Sequence, residues 1–257
     1  MKFLCLHGMG TNADIYEAQL VPIQAQMDPT HEFVFVDGLE ECRPASGVAA
    51  FFSGPFYCYY AKPTAEHLAA AYDLVREVIE EEGPFHGVFG FSQGGALAAS
   101  LLLHHQKVAS HEPDLFNFAV FTCASLPFDP DTERQQPKYN TIISQETGEV
   151  SVQDWIQGES EVEPIEINGF ITPLEPGDIT LRRYHPEREK TRIHIPTVHI
   201  RGLADPFFSQ QRVLTDLCAD AFVLDHDQGH QLPRDSVFAK KAASLIQGAI
   251  AKAMFRC

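Results

Sequence analysis

The sequence predicts an α/β fold with a mainly parallel central sheet and helices on both of its faces. Six short runs have the length of β-strands and are apolar nearly throughout, as strands covered on both faces of a parallel sheet are. Runs with helical periodicity lie between them, and strands that alternate with helices form parallel sheets. The chain has 257 residues, 44% of them hydrophobic, which suffices for one large domain with a substantial core.

The predicted strands are rich in Val, Ile, Leu and Phe and end at Gly, Asp or polar residues. In chain order they cover residues 3–6, 33–36, 87–91, 118–123, 197–200 and 221–224.

The predicted helices carry apolar residues at the spacing of one helical face. They cover residues 13–27, 64–82, 95–106, 208–218 and 236–251. The second shows the pattern most clearly, because Leu68, Tyr72 and Val75 belong to one apolar stripe and the run ends in three glutamates. We expect it to be an amphipathic surface helix.

Two segments interrupt the alternation of strands and helices. Residues 51–60 contain six aromatic side chains around a Gly-Pro turn. Residues 126–195 are polar and Pro-rich, and residues 144–180 within them carry nine acids and no Lys or Arg. Because a structureless loop of that length is uncommon in a compact domain, we predict a single domain over residues 1–257 with a polar lid or insertion at about 126–195.

The composition excludes several classes of function. A net charge of −16 repels nucleic-acid phosphates and anionic membrane surfaces, and no window approaches the ~20 apolar residues of a membrane span. The six cysteines lack C-x-x-C or metal-ligand spacing, so we expect reduced thiols, no metal, no cofactor and a cytoplasmic location.

A nucleophile motif follows the third predicted strand. Residues 90–94 read Gly-Phe-Ser-Gln-Gly and open an Ala- and Leu-rich helix. This strand–turn–helix context is that of a G-x-S-x-G nucleophile elbow, in which flanking glycines allow a sharp turn and the serine is exposed above the sheet. The alternative is that these small residues only allow close packing. We predict that Ser92 is a nucleophile.

An acid and a base follow Ser92 in the order that this motif requires. Asp205 comes after the strand 197–200, and His230 lies on a loop before the last helix. His226 is the competing base, and Asp225 and Asp227 are the competing acids, although their closeness to His230 in sequence makes support of its far ring nitrogen awkward.

The turn after the first strand is a candidate for donating a backbone N–H group to an oxyanion. The strand ends in residues 7–12, a Gly-containing turn that opens a helix. The predicted donors are the backbone N–H groups of Gln93, directly after the nucleophile, and of Met9 in this turn. His7 is interpreted as a brace of the turn, with a second catalytic base as the alternative.

Together, residues 3–12, Ser53-Gly54-Pro55, residues 90–96, Asp205-Pro206 and Gly229-His230 resemble the fungal serine hydrolase family. The resemblance covers essentially the whole chain and implies an α/β-hydrolase fold. It also implies a triad of Ser92, Asp205 and His230, an oxyanion hole from Met9 and Gln93, and an ester or thioester substrate. The family includes trans-acting thioesterases that release products from fungal polyketide synthases.

The predicted function is a serine hydrolase that acts through an acyl-enzyme, with an acyl substrate presented by a carrier domain of a polyketide synthase as the favoured case. A general short- or medium-chain carboxylesterase and a catalytically dead ligand-binding hydrolase are the alternatives. Phe56 and Tyr57 are candidates for lining an acyl pocket. The alternative is that they only pack against other buried side chains.

Residues 182–192 contain five basic and two acidic side chains. They are a candidate patch for docking of the carrier domain, and the alternative is that they form ion pairs within the protein.

Overall fold

A six-stranded parallel sheet forms the centre of the protein. The computed structural model describes residues 1–131, 139–144, 146–154, 166–167, 170–171 and 181–255. The strands are β1 (Lys2–Leu6), β2 (Glu32–Val36), β3 (Gly87–Phe91), β4 (Phe118–Thr122), β5 (Thr197–Gly202) and β6 (Ala221–His226). They lie in the order β6-β5-β4-β3-β1-β2, and every neighbouring pair is parallel.

Five helices cover the two faces of this sheet. They are α1 (Ala13–Gln24), α2 (Ala65–Glu82), α3 (Gln93–Val108), α4 (Phe208–Asp216) and α5 (Ser236–Met254). Buried side chains of α1 and α5 form a hydrophobic core with one face of the sheet. Those of α2, α3 and α4 form a second core with the other face. The central strands β3 and β4 are therefore buried along their whole length.

Three helices begin at a polar side chain that accepts a hydrogen bond from their first turn. Asn12 accepts from the Ile15 N–H, Thr64 from the His67 N–H and Asp235 from the Phe238 N–H. Such N-caps satisfy an N–H that has no partner within the helix.

Short elements lie outside the central sheet. Glu40–Glu41 pairs with Tyr57–Cys58, Tyr139–Ile143 with Val150–Asp154, and Glu166–Ile167 with Phe170–Ile171, all antiparallel, and Val48–Ala50 is a 3₁₀ turn. In the connection between the second pair, a Cβ on Gly148 would lie 2.8 Å from the Pro206 carbonyl oxygen. That turn therefore packs against the loop that follows β5.

The predicted fold class is confirmed, and all six strands and five helices form. Helix α3 begins at Gln93, two residues earlier than predicted, because the positive φ of Ser92 turns the chain directly into the helix. The lid stays a prediction, since much of it falls outside the described residues. Its described flanks belong to the main core, as the buried side chains of Leu126, Phe128, Leu181 and Tyr184 show.

In the described ranges, no helix combines the length and apolar character needed to cross a membrane.

The cysteines of the described residues are free thiols. They are Cys5, Cys42, Cys58, Cys123 and Cys218, and three of them are buried. Cys257 lies outside the described residues.

Candidate active site

Ser92 sits on a sharp turn between β3 and α3. Its φ of 51° is in the left-handed region that side chains disfavour. The turn is possible because its neighbours lack side chains. A Cβ on Gly90 would lie 2.4 Å from the Gly95 Cα, and one on Gly94 would lie 2.2 Å from the Leu6 carbonyl oxygen. The strand, the turn and the helix thus approach each other more closely than any other residue type allows.

The structure brings Ser92, His230 and Asp205 together in a hydrogen-bonded chain. His230 Nε2 lies 2.9 Å from Ser92 Oγ, and His230 Nδ1 lies 2.7 Å from Asp205 Oδ2. Because a carboxylate can only accept, Nδ1 carries the proton and Nε2 is left to accept from the Ser92 hydroxyl. This arrangement can withdraw a proton from Ser92 and stabilise the resulting imidazolium.

The two loops that carry the acid and the base are joined directly. The Leu203 N–H donates to the His226 carbonyl at 2.8 Å, and the Ala204 N–H donates to the Gln228 carbonyl at 3.2 Å. A Cβ on Gly202 would lie 2.4 Å from the Gly229 carbonyl oxygen. This close contact places the His230 loop beside the end of β5.

Asp205 is buried and held by further donors. Its side chain is 0% exposed. Oδ1 accepts from the Phe207 N–H at 2.8 Å, and Oδ2 accepts from Gln211 Nε2 at 2.7 Å. The Gln211 Oε1 accepts in turn from the Gly202 N–H at 3.2 Å, so this side chain fixes the carboxylate relative to β5.

The competing candidates are not part of this chain. Asp225 forms a two-pronged ion pair with Arg201, at 2.7 and 3.0 Å, and Asp227 is exposed. The His226 ring packs edge-on against Phe238, and burial lowers its pKa. Geometry therefore selects Asp205 and His230 from the alternatives that the sequence left open.

Met9 and Gln93, the predicted oxyanion donors, directly follow Gly8 and Ser92, two residues that lie against each other. Gly8 lies against the nucleophile, since a Cβ there would lie 3.3 Å from the Ser92 Cβ. Gln93 is the first residue of α3, where N–H groups have no partner within the helix. No hydrogen bond between described residues uses the N–H of Met9 or of Gln93. Both N–H groups therefore remain candidates for the oxyanion donors.

His7 braces the turn that contains Met9. Its Nε2 accepts from the Gly38 N–H at 2.9 Å, so its Nδ1 is the protonated nitrogen and donates to the Gly8 carbonyl at 2.7 Å. Burial lowers the pKa of His7, although the bond to Gly8 opposes this. His7 is a neutral structural histidine with both ring nitrogens engaged.

The Gln93 side chain fixes the aromatic segment beside the nucleophile. Its Oε1 accepts from the Tyr59 N–H at 2.9 Å, and its Nε2 donates to the Tyr60 carbonyl at 2.8 Å. The Tyr59 hydroxyl accepts from the His7 N–H and donates to the Val36 carbonyl. Tyr59 and Tyr60 are therefore part of the packed scaffold.

Phe56 and Tyr57 lie beside the oxyanion loop. Phe56 is buried and Tyr57 is partly buried. The Tyr57 carbonyl accepts from the Gly10 N–H at 2.9 Å, and its N–H donates to the Thr11 carbonyl at 2.7 Å. The two residues are thus next to Met9, while Phe51, in the same run, is 85% exposed.

A thiol adjoins Asp205. Cys123 directly follows β4, is 0% exposed and has a φ of 46°. Burial, followed by the Asp205 charge, raises the pKa of this thiol well above its ordinary value. Cys123 therefore remains protonated and can donate to Asp205.

Three side chains of the site were not predicted from the sequence: Cys123, Gln211 and the amide of Gln93. Gln211 had a signal in the sequence, since it lies on the helix directly after Asp205 and only six residues from it. Nothing in the sequence links Cys123 to Asp205, because that contact depends on the order of strands in the sheet.

The basic residues 182–192 are partly used inside the protein. Arg182 Nη2 lies 2.6 Å from Asp129 Oδ2 and 3.1 Å from Glu189 Oε1. Lys107 also pairs with both acids. Arg183 is buried, donates to the Leu126 carbonyl and lies over the Phe128 ring. This is the internal role that the sequence analysis kept as the alternative to docking.

A parallel sheet with a serine elbow, and a histidine and an acid on the loops after later strands, defines a serine hydrolase of the α/β-hydrolase fold. The family model "Serine hydrolase (FSH1)" matches residues 1–242, and the chain belongs to this family. It is 33% identical to "Esterase alnB" of Emericella nidulans over 97% of this chain and 96% of that protein.

Other comparisons agree with this family and fold. The chain is 34% identical to "Esterase FPY3" of Fusarium mangiferae, over 91% of this chain and 89% of that one. Among solved structures it is similar to Zea mays acyl-protein thioesterase 2, with a TM-score of 0.54 and 17% identity over 97% of this chain and 93% of that chain. At that identity the likeness concerns the fold alone.

Proposed function

We propose that Ser92, His230 and Asp205 are the catalytic triad of this hydrolase and that it cleaves acyl esters or thioesters. The observation that carries the proposal is the hydrogen-bonded chain from Ser92 Oγ through His230 to Asp205, at 2.9 and 2.7 Å. Each member sits on a separate loop, so packing alone does not explain why the three side chains converge.

The reaction begins when Ser92 Oγ attacks the acyl carbonyl while His230 Nε2 takes its proton. The Met9 and Gln93 N–H groups stabilise the oxyanion of the tetrahedral intermediate. His230 then returns the proton to the leaving alcohol or thiol, and an acyl-enzyme remains on Ser92. Water, activated by His230, releases the acid and restores the serine.

Within this class, the substrate we propose is an acyl thioester on a carrier protein, such as a polyketide chain. The resemblance to a family that includes such thioesterases supports it. The alternative is a general carboxylesterase for short or medium acyl chains, and the similarity to the relatives named Esterase alnB and Esterase FPY3 favours it. Phe56 and Tyr57, beside the oxyanion loop, are the residues we propose for contact with the acyl chain.

Labelling with a fluorophosphonate tests the nucleophile. We expect one covalent adduct on Ser92 and none on Ser92→Ala. The alanine variant should fold normally but lose several orders of magnitude in turnover, because only the oxyanion hole and binding remain. More than about a tenth of the wild-type rate in Ser92→Ala would assign the nucleophile elsewhere.

Three substrates with the same acyl chain test the leaving group. The same acyl chain is offered as a carrier-bound thioester, a small soluble thioester and an ethyl ester. The thioesterase proposal expects the highest kcat/KM on the carrier-bound form. Equal rates on the two small substrates, with no gain from the carrier, would instead support the carboxylesterase.

A further inference from the structure

Three potential metal ligands from three different loops converge at the base of the triad. The Cys123 sulfur, an Asp205 carboxylate oxygen and a His230 ring nitrogen all lie within 4.8 Å of one another. Cys123 is placed there by β4, through a bond from its N–H to the Ile200 carbonyl at 2.8 Å. Its sulfur lies 3.7 Å from the Gln231 carbonyl oxygen, next to the His230 loop.

These atoms match the donor set of a zinc-type site. Zinc binds thiolate sulfur at about 2.3 Å, imidazole nitrogen at about 2.0–2.1 Å and carboxylate oxygen at about 2.0–2.2 Å, with a fourth position free for water. Ligands of one tetrahedral ion therefore stand roughly 3–4 Å apart. The three ligand atoms already lie within 4.8 Å of one another, and binding of an ion requires the 2.7 Å contact between His230 and Asp205 to widen.

We propose that Cys123, Asp205 and His230 bind a thiophilic divalent cation, Zn²⁺ or Cd²⁺, and that this ion switches the hydrolase off. The sulfur and nitrogen ligands select against Mg²⁺ and Ca²⁺, which prefer oxygen. A thiolate and a carboxylate neutralise the two charges of the ion, so the buried site carries no net charge once it is filled. The His230 side chain is 26% exposed, so this ligand is in contact with solvent.

The binding step accounts for the loss of activity. The metal takes His230 Nδ1, and the proton from that nitrogen moves to Nε2. The Cys123 thiol gives its proton to solvent as the sulfur–metal bond forms. Nε2 then donates instead of accepting, so it no longer removes the proton from Ser92. This inhibition rests on the proposed triad, whereas the binding of the ion does not.

Cadmium titration tests the site without any need for activity. The ultraviolet charge-transfer band of a cadmium–thiolate bond is followed as Cd²⁺ is added to Cys42→Ser protein. That background removes the contact between the Cys42 and Cys58 thiols, which would otherwise compete for the metal. We expect a band that saturates at one equivalent and is unchanged in Ser92→Ala.

Substitutions at the site and away from it then locate the ion. Cys123→Ser and Cys123→Ala should abolish the band, and His230→Gln should weaken Cd²⁺ binding at least about tenfold. Cys218→Ser is the matched control and should keep the band, since its thiol contacts the Leu214 carbonyl on α4. A band that survives in both Cys123 variants overturns the site.

Measurements of hydrolysis in the presence of Zn²⁺ test whether the ion inhibits the enzyme. Zn²⁺ should inhibit hydrolysis by more than about tenfold, a chelator should restore the rate, and Mg²⁺ should have no effect. Each Cys123 variant is compared with its own metal-free rate and should lose its sensitivity to Zn²⁺. Inhibition that persists in both variants overturns the switch. If the protein hydrolyses no acyl donor, the proposed function fails, while the cadmium titration still decides the site.

Discussion

Ser92 shows how single residues set the geometry of the site. A non-glycine residue in the left-handed region costs roughly 1–3 kcal/mol, and here the packing of β3 and α3 offsets that cost. Gly90 and Gly94 let the strand and the helix come into contact, so any side chain at either position would force the backbone around Ser92 to shift. The turn also places the Gln93 N–H beside the nucleophile.

The two acid candidates can be separated by single substitutions. Asp205→Asn should lower kcat on the order of 10⁴-fold, because an amide that donates to His230 fixes the wrong tautomer. Asp227→Asn should change kcat little, because Asp227 is exposed and lies outside the hydrogen-bonded chain. Steady-state kinetics on one acyl ester measure both. The opposite ranking would move the acid to the histidine loop.

At the scale of elements, the sequence was most informative where burial is uniform. The strands β3 and β4 are covered on both faces, so their apolar runs and the elbow after β3 could be read directly. Asp205 and His230 were predicted from their places after apolar strands, and the structure brings both into a hydrogen-bonded chain with Ser92. The contacts of Cys123, Gln211 and the Gln93 amide depend on which loops meet at the edge of the sheet, and no local pattern encodes that.

The aromatic segment beside the site could be read only in part from sequence. Six aromatic residues in ten left an acyl pocket and buried packing as alternatives. Tyr59 and Tyr60 are fixed in the scaffold by hydrogen bonds to Gln93, and Phe51 is 85% exposed. Phe56 and Tyr57 remain as candidates for contact with substrate. The sequence could not distinguish these two residues from the other aromatic residues of the segment, because all six are Phe or Tyr and differ only in how deeply they are buried.

Alanine variants of this segment distinguish binding from packing. Tyr57→Ala should raise KM for long acyl chains more than for acetyl esters if the side chain contacts the acyl group. Phe56→Ala should do the same and also destabilise the fold by about 3–5 kcal/mol, since Phe56 is buried. Kinetics on a chain-length series and urea denaturation measure these effects.

The matched control in this segment is Phe51→Ala, at the exposed aromatic position. It should change neither stability nor the dependence of KM on chain length. If Tyr57→Ala lowers kcat/KM equally for long and acetyl esters and also lowers Tm, Tyr57 has a packing role, and the pocket proposal for it is wrong.

At the scale of the whole molecule, an ion-pair network joins the polar region to the body. Asp129 has a fully buried side chain between Lys107 of α3 and Arg182. Burial disfavours its charge, but the two cations outweigh burial and hold the pKa of Asp129 below its ordinary value. The network therefore depends on both cations being present.

Substitution of Arg182 distinguishes its role in the ion-pair network from a role in docking a carrier protein. Arg182→Ala should lower the free energy of unfolding by about 3 kcal/mol, because the buried Asp129 loses one of its partners. Urea denaturation measures it, and exposed Arg76→Ala on α2 is the control. A variant of normal stability that lost activity only on carrier-bound substrate, in a salt-dependent way, would favour docking instead.

Buried neutral histidines make the stability of the whole protein depend on pH. His199 on β5 is 1% exposed, its Nε2 lies 3.1 Å from Thr197 Oγ1, and burial, with a smaller effect of Arg201, lowers its pKa to about 3. The unfolded chain takes up this proton near pH 6.5. Between pH 6.5 and 3 the unfolded state thus binds more protons, so stability is fully present above pH 6.5 and is lost as the pH falls.

We expect His199→Gln to reduce this loss. The wild-type free energy of unfolding should fall by up to about 1.4 kcal/mol per pH unit below pH 6 for His199 alone. The amide of glutamine can still donate to Thr197 but takes up no proton. Urea denaturation at pH 7.5, 6.0, 5.0 and 4.5 gives the slope of the free energy of unfolding against pH for each protein. The substitution His111→Gln, at an exposed position, is the control. Parallel slopes for wild type and His199→Gln would show that His199 is not the group whose protonation destabilises the fold.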